Sequence, residues 1–253
     1  MSQLVDRLCL GKDAPLAQEF ERLFSSLFGS DPRYPAVVRA LSQKRSGLSR
    51  NELLVAARLS SGGGLTTILE NLEQGGFVSA TIPFGRTSRD KLYRLTDEFC
   101  LFHLKWLERQ PIRSWHHVRK TPRWQAWAGL AFEGVCLEHP RAIERALGIS
   151  GIRTNVSAWS RKEAQIDMLI ERADDVVSII EIKFSDEPFV ISKKYAEELC
   201  RKIATFRAQT KLRQAVQLAF VTPYGVAENQ YALELSSLGT TIARDEHESS
   251  KAA

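Results

Sequence analysis

The chain has 253 residues, 43% of them hydrophobic and 26% charged, with a formal net charge of +5. That length holds one large or two ordinary domains with a sizeable core, and no apolar run reaches the roughly 18 residues that a membrane span needs. The opening MSQLVDRLCLGKDAP mixes acids and bases into its apolar residues, unlike a secretory leader, and Cys9, Cys100, Cys136 and Cys200 are too scattered for a disulfide frame or zinc site, which reads as a reduced, cytoplasmic protein.

Charge is unevenly spread. Residues 1–125 hold 19 Lys/Arg against 12 Asp/Glu, whereas the remainder holds 16 against 18. Residues 86–123 alone carry ten bases and four acids. Such a segment suits a polyanion such as DNA, and equally a solvated surface or an acidic partner. His116 and His117 are adjacent, so regular structure points them apart, and the histidines show no metal-ligand spacing.

In chain order, PLAQEFERLFSSLFG (15–29) predicts an amphipathic helix with Leu16, Phe20, Leu23 and Leu27 near one face. Three short helices follow, at about 34–44, 50–57 and 65–74. Ser49 caps the second, with Glu52 completing a capping box. A turn at Gly62–Gly64 separates the second from the third, and Gly75-Gly76 closes the third. Two strands, 77–82 and 91–95, flank the polar loop PFGRTSRD. This order predicts a winged helix-turn-helix with Arg86, Arg89, Lys91 and Arg94 in its wing as candidate nucleic-acid contacts. The third helix presents Thr66, Thr67, Glu70, Asn71, Glu73 and Gln74 outward, with no base among them, so it predicts a packing or interaction module and not a sequence reader. A further helix at 96–108, capped by Thr96, leads through a proline-containing basic linker to a second domain.

The second domain predicts a helix at 124–138, a strand near 152–159, a hairpin, a basic helix at 192–209, and strands at 217–222 and 240–244. This is an α-β-β-β-α-β order. The hairpin, AQIDMLIERADDVVSIIEIKF (164–184), raises the chemical question. With Ala173-Asp174-Asp175 as a three-residue loop, Arg172 pairs with Val176. Asp167 then faces Glu181 and Gln165 faces Lys183, while Ile166 with Ile182 and Met168 with Ile180 turn to the core. Two opposed carboxylates repel, so either one holds a proton or a cation neutralises both. Mg²⁺ or Mn²⁺ suits such oxygen ligands. Lys183, on the same face as Glu181, is placed to stabilise charge on a phosphate or to assist a water. Glu133, in line with Ala126, Leu130 and Leu137 on the preceding helix, is a third candidate ligand. Lys193, Lys194, Arg201 and Lys202 are candidates for tracking a DNA backbone, or a solvated helix face.

The Asp167…Glu181-x-Lys183 arrangement in this element order resembles the PD-(D/E)XK nuclease superfamily, although Ile166 stands where a proline often precedes the aspartate. The segments EFERLFSSLFG, YRLTDEFCLFHLKWLE, FEGVCLEH, QIDMLIERAD and EIKFSDEPFVISKKYAEEL are also similar to the C-terminal region of archaeal and bacterial AAA-type ATP-binding proteins. In those, an ATPase precedes a winged helix and a nuclease-like domain. The resemblance implies a restriction-endonuclease-like α/β core behind an α+β winged helix. The division is 1–30 as the tail of an ATPase lid, 31–110 as winged helix, 111–123 as linker, 124–245 as nuclease-like domain and 246–253 as a disordered tail. It implies a Mg²⁺- or Mn²⁺-dependent deoxyribonuclease with Asp167, Glu181 and Glu133 at the metal and Lys183 and Gln165 beside them. The alternative is a non-catalytic DNA-binding or regulatory module. A separate AAA-type ATPase is the implied protein partner, because this chain carries no G-x-x-x-x-G-K-[ST] loop.

Overall fold

The computed structural model describes residues 2–10, 14–60, 64–108, 112, 114–236 and 241–243. The expected tail at 246–253 lies outside them, as does the turn expected at Gly62 and Gly63. The chain forms a mixed α/β structure in two compact units, residues 1–81 with 88–130, and residues 82–87 with 131–253. The break falls inside a helix, and much of the stretch expected as a linker is itself helical. Among the described residues, no helix is long and apolar enough to cross a membrane.

The first unit contains α1 (Ser2–Val5), α2 (Glu19–Phe28), α3 (Arg33–Leu41), β1 (Leu48–Ser49), α4 (Arg50–Ala56), α5 (Gly64–Gln74), β2 (Val78–Thr81), β3 (Leu92–Leu95) and α6 (Glu98–Phe102). α7 (Trp115–Val118) and the first half of α8 (Pro122–Glu138) complete it. The strands pair antiparallel in the order β1-β3-β2. β1 is two residues long, too short for a periodic signal, and the sequence reading missed it. Its approach to β3 requires Gly47, whose φ is +89° and where a Cβ would stand 2.9 Å from the Tyr93 carbonyl.

The capping box at Ser49 forms as expected: the Ser49 hydroxyl accepts from the Glu52 amide, and Glu52 accepts from the Ser49 amide at 2.7 Å. The cap of α6 is Asp97, which accepts from the Cys100 amide at 2.7 Å. Thr96 instead donates to the Gly76 carbonyl, because its position still belongs to the sheet end. The buried stripe of α2 is Phe20 and Phe24, with Leu27 exposed. On α5, Asn71 is not free to face a ligand, since its amide donates to the Tyr34 hydroxyl at 2.6 Å.

His103 closes this core, stacked on Phe20 with ring centroids 4.7 Å apart and only 7% exposed. Burial pushes its pKa below the usual imidazole value. The unfolded chain therefore takes up this proton at a higher pH than the folded one does. The resulting stability is full above about pH 6.5 and declines as pH falls below it. Urea unfolding of the first unit should show this loss as pH falls below about 6.5, and His103→Phe should flatten it. An equal loss in the variant would place the dependence elsewhere.

The second unit contains the rest of α8, α9 (Pro140–Ala146), β4 (Thr154–Ser160), β5 (Gln165–Arg172), β6 (Val176–Ile182), α10 (Lys193–Thr210), β7 (Ala215–Val221), α11 (Gln230–Ser236) and β8 (Thr241–Ala243). The sheet order is β4-β5-β6-β7-β8. β4, β5 and β6 pair antiparallel; α10 then carries the chain to β7, which runs parallel to β6, as β8 does to β7. One sheet face packs Met168, Ile170 and Ile180 against Cys136 and Ile143. The other packs Leu169, Val177, Ile179 and Phe220 against Leu199 and Phe206 of α10. Cover on both faces makes β6 almost continuously buried.

The loop 82–87 belongs to this unit and not to a free wing. The Phe84 amide donates to the Ala158 carbonyl of β4 at 2.7 Å, and its ring packs edge-on to Phe206 at 5.2 Å. A lone phenylalanine in a polar loop was the sequence signal for that anchor.

Candidate active site

The β5–β6 hairpin sets the site. Its register is the one a loop at 173–175 gives, with Met168 opposite Ile180 and Glu171 opposite Val177. Asp175 takes the left-handed conformation at φ 66°, which lets three residues close the turn. Arg172 clamps the loop by an ion pair to Asp174 and a hydrogen bond to Gln217.

At the other end the register breaks. Ser157 pairs with Leu169, but Trp159 pairs with Ile166, so Asp167 and Met168 together oppose Ala158 alone. This is a β-bulge, a device that re-aims side chains at the end of a ladder. It explains one departure from strict alternation. Ile166 was expected on the face of Met168 and Ile180, yet it packs with Trp159 and Leu169 on the α10 face. Pairing of β5 with β6 runs as far as Met168 with Ile180; Asp167 and Glu181 are the next residues on their strands.

Glu181 is the centre of the cluster and is only 4% exposed. Three donors meet its carboxylate. The Tyr195 hydroxyl donates to Oε2 at 2.9 Å, Lys202 Nζ is bonded to Oε1, and Lys183 Nζ lies 3.5 Å from Oε2. Lys183 follows directly on β6, held by its amide donating to the Val221 carbonyl at 3.0 Å. Its ammonium also lies 5.3 Å from the centroid of the Tyr195 ring, and its side chain is 35% exposed. Burial, and then the carboxylates of Glu181, Glu198 and Asp167, push the Tyr195 hydroxyl above its usual pKa, so it remains a donor. The field of Asp167 thus reaches the same phenol. Asp167 is half-buried and accepts from the exposed Gln165 amide at 2.5 Å.

The charges set against the buried Glu181 carboxylate are lysine ammoniums, whereas the sequence reading expected a metal ion shared by Asp167 and Glu181 or a proton on one of them. Lys202 does not lie along a solvated face. It reaches inward from α10 and is the group the sequence reading misplaced. Tyr195, Leu199, Lys202 and Phe206 recur at a helical 4-3-4 spacing, so Lys202 interrupts an otherwise aromatic and apolar stripe. That interruption was the available signal for Lys202 and for Tyr195, which went unnamed.

The remaining candidates are dispersed. Glu133 is half-buried on α8. Among the described residues no three His, Cys, Asp or Glu side chains are gathered to hold a metal, so Glu133 is not brought together with Asp167 and Glu181 as a ligand trio. Its helix lines the opposite sheet face to α10, which accounts for that separation. Lys193, Lys194 and Arg201 are exposed on α10, with Lys194 3.9 Å from Glu198. Of the expected wing bases, Arg86 is exposed in the loop of the second unit; Arg89 is exposed and Lys91 and Arg94 are half-buried in the first.

No family model and no curated protein matches the chain. Among solved structures, metal-depleted Ecl18kI in complex with uncleaved, modified DNA is similar at 16% identity, covering 89% of this chain and 73% of that chain, with a TM-score of 0.28. A likeness that slight assigns neither fold nor activity.

Proposed function

We propose that the second unit is a divalent-metal-dependent nuclease module of PD-(D/E)XK type that hydrolyses DNA phosphodiester bonds. The observation that carries the reading is the bulged end of the hairpin, where Asp167 and the buried Glu181 follow directly on the last paired residues of β5 and β6, and Lys183, Tyr195 and Lys202 converge on Glu181. The order α8-β4-β5-β6-α10-β7, antiparallel and then parallel, with the short α9 added between α8 and β4, supports it, since the superfamily resemblance of the sequence rests on an α-β-β-β-α-β order that begins with the helix of Glu133.

The donor chemistry fits a Mg²⁺-type ion. Asp167 and Glu181 offer hard carboxylate oxygens, and Glu181 already draws positive charge to a buried position. Asp167 and Glu181 would hold the ion; Glu133 has no part in that set. When bound, such an ion supplies Lewis acidity and lowers the pKa of a coordinated water. The chain's own contribution is positioning. Tyr195 fixes the Glu181 carboxylate, Gln165 fixes Asp167, and Lys183 holds a partly exposed positive charge where a phosphate would approach.

In this reading the first unit is a winged helix that adds affinity through Arg89 and its basic neighbours, without base recognition by α5. Arg86 adds the same kind of backbone charge from the second unit. The similarity of the sequence to the C-terminal region of AAA-type proteins supports an AAA-type ATPase as partner. The test is incubation of purified protein with labelled single-stranded, duplex and branched DNA. Cleavage with Mg²⁺ or Mn²⁺ that stops with EDTA is the expected result. DNA binding without cleavage in any of these would establish the non-catalytic alternative.

A further inference from the structure

We propose that Lys202 is the built-in counter-cation of Glu181 and that a divalent ion must displace it to bind there, so that α10 sets the threshold for metal binding. This rests on the nuclease reading above and adds to it a residue that acts against the metal.

The geometry makes the two cations rivals. A carboxylate offers about four lone-pair positions, and at Glu181 the Tyr195 hydroxyl and the Lys202 ammonium already claim one on each oxygen, with the Lys183 ammonium 3.5 Å from Oε2. Lys202 takes Oε1 and Tyr195 takes Oε2, so an ion at either oxygen meets a bonded donor. Lys183 is the looser of the two lysines, at 3.5 Å and with a side chain 35% exposed, against 21% for Lys202. A divalent ion and Lys202 on one carboxylate would also repel, and the burial of Glu181 weakens the screening between them. Lys202 can yield, because its side chain is still 21% exposed and its flexible stem lets the ammonium swing away from Glu181. In the absence of metal, however, it is required. A carboxylate only 5% exposed that loses its ammonium is left as an uncompensated buried charge.

Two linked effects follow. Removing the Lys202 charge lowers the stability of the metal-free protein, and it raises metal affinity, because nothing need be displaced and the bound ion restores the missing charge. Tyr195 is neutral and does not compete in charge, so it stays with Glu181 as a positioning residue in both states.

The experiment uses the full chain with Lys202→Met, Lys202→Gln, Lys202→Arg and Asp167→Asn, with Mn²⁺ titrations by calorimetry and melting curves with and without Mg²⁺. Lys202→Gln, which keeps a donor, guards against failure of Lys202→Met to fold. The expected result is Mn²⁺ binding about tenfold tighter than wild type in the Met and Gln variants, with a lower metal-free Tm and a larger metal-induced rise. Lys202→Arg should stay near wild type, and Asp167→Asn should lose binding, locating the ion at this site. If the Met and Gln variants bind Mn²⁺ no more tightly than a wild type that does bind, Lys202 is no rival and the inference falls while the nuclease reading stands. If wild type and all Lys202 variants fail to bind Mn²⁺, the metal reading falls and takes the inference with it.

Discussion

If the second unit is the proposed nuclease, Lys183→Ala is expected to reduce DNA cleavage by a factor of about 10² or more while leaving the fold and DNA binding close to wild type. Two features single it out. Its ammonium touches Glu181 from the solvent side, and its backbone is fixed by pairing with Val221, so the charge is presented from a rigid strand end. A fixed positive group at a site of developing phosphate charge acts in the transition state, where reorganisation costs nothing. The stability cost is small, because Lys202 remains as the closer partner of Glu181 and the Lys183 side chain is a third exposed. Rate constants under single-turnover conditions, with binding measured separately, check this. A variant that cleaves at the wild-type rate would reduce Lys183 to a structural counter-ion.

Phe206→Ala will destabilise the second unit by about 3–5 kcal/mol. The ring is 0% exposed and is gripped from two sides, by Trp159 at 5.3 Å and by Phe84 at 5.2 Å, both near edge-on. Truncation leaves a cavity that neither neighbour can fill: Trp159 is itself 1% exposed, and Phe84 is tied to β4 through its amide. The site should suffer with the fold, because Phe206 lies about one helical turn beyond Lys202 on α10. Denaturant unfolding followed through the tryptophan signal measures the loss. Phe206→Leu, which keeps most of the volume, should recover more than half of it. An alanine variant as stable as wild type would show that this aromatic contact does not hold α10 to the sheet.

The parts of this structure that the sequence revealed are those with local causes. The hairpin register follows from alternating isoleucines around a short acidic loop, and the Ser49 box follows from two residues three apart. What it concealed depends on partners distant in sequence. The bulge at Asp167–Met168 arises from the register of β4, and no glycine or proline marks it. The α6 cap moved from Thr96 to Asp97 because β3 and the Gly76 carbonyl claim the threonine.

The site was legible in its acids and only partly in its bases. Asp167, Glu181 and Lys183 share one hairpin, so period-two reasoning brings them together. Lys202 reaches Glu181 from another element, and charge on a helix reads as solvated unless the apolar stripe around it is followed residue by residue. Glu133 failed in the reverse sense. Of its helical stripe, Ala126 and Leu130 are exposed and only Leu137 packs on the sheet, on the face away from α10, so spacing alone did not place Glu133 beside Glu181.

Cleavage of end-labelled DNA by wild type and Asp167→Asn, side by side in Mg²⁺ or Mn²⁺, tests the proposed nuclease site at Asp167 and Glu181 most directly. The substitution preserves shape and the bond from Gln165 through the remaining oxygen, so folding should be retained and the melting temperature should not fall in metal-free buffer. Wild type should give product, none with EDTA, and Asp167→Asn at least roughly a hundredfold less, on the order of other losses of a directly acting group. Equal product from the two proteins would contradict the proposed site.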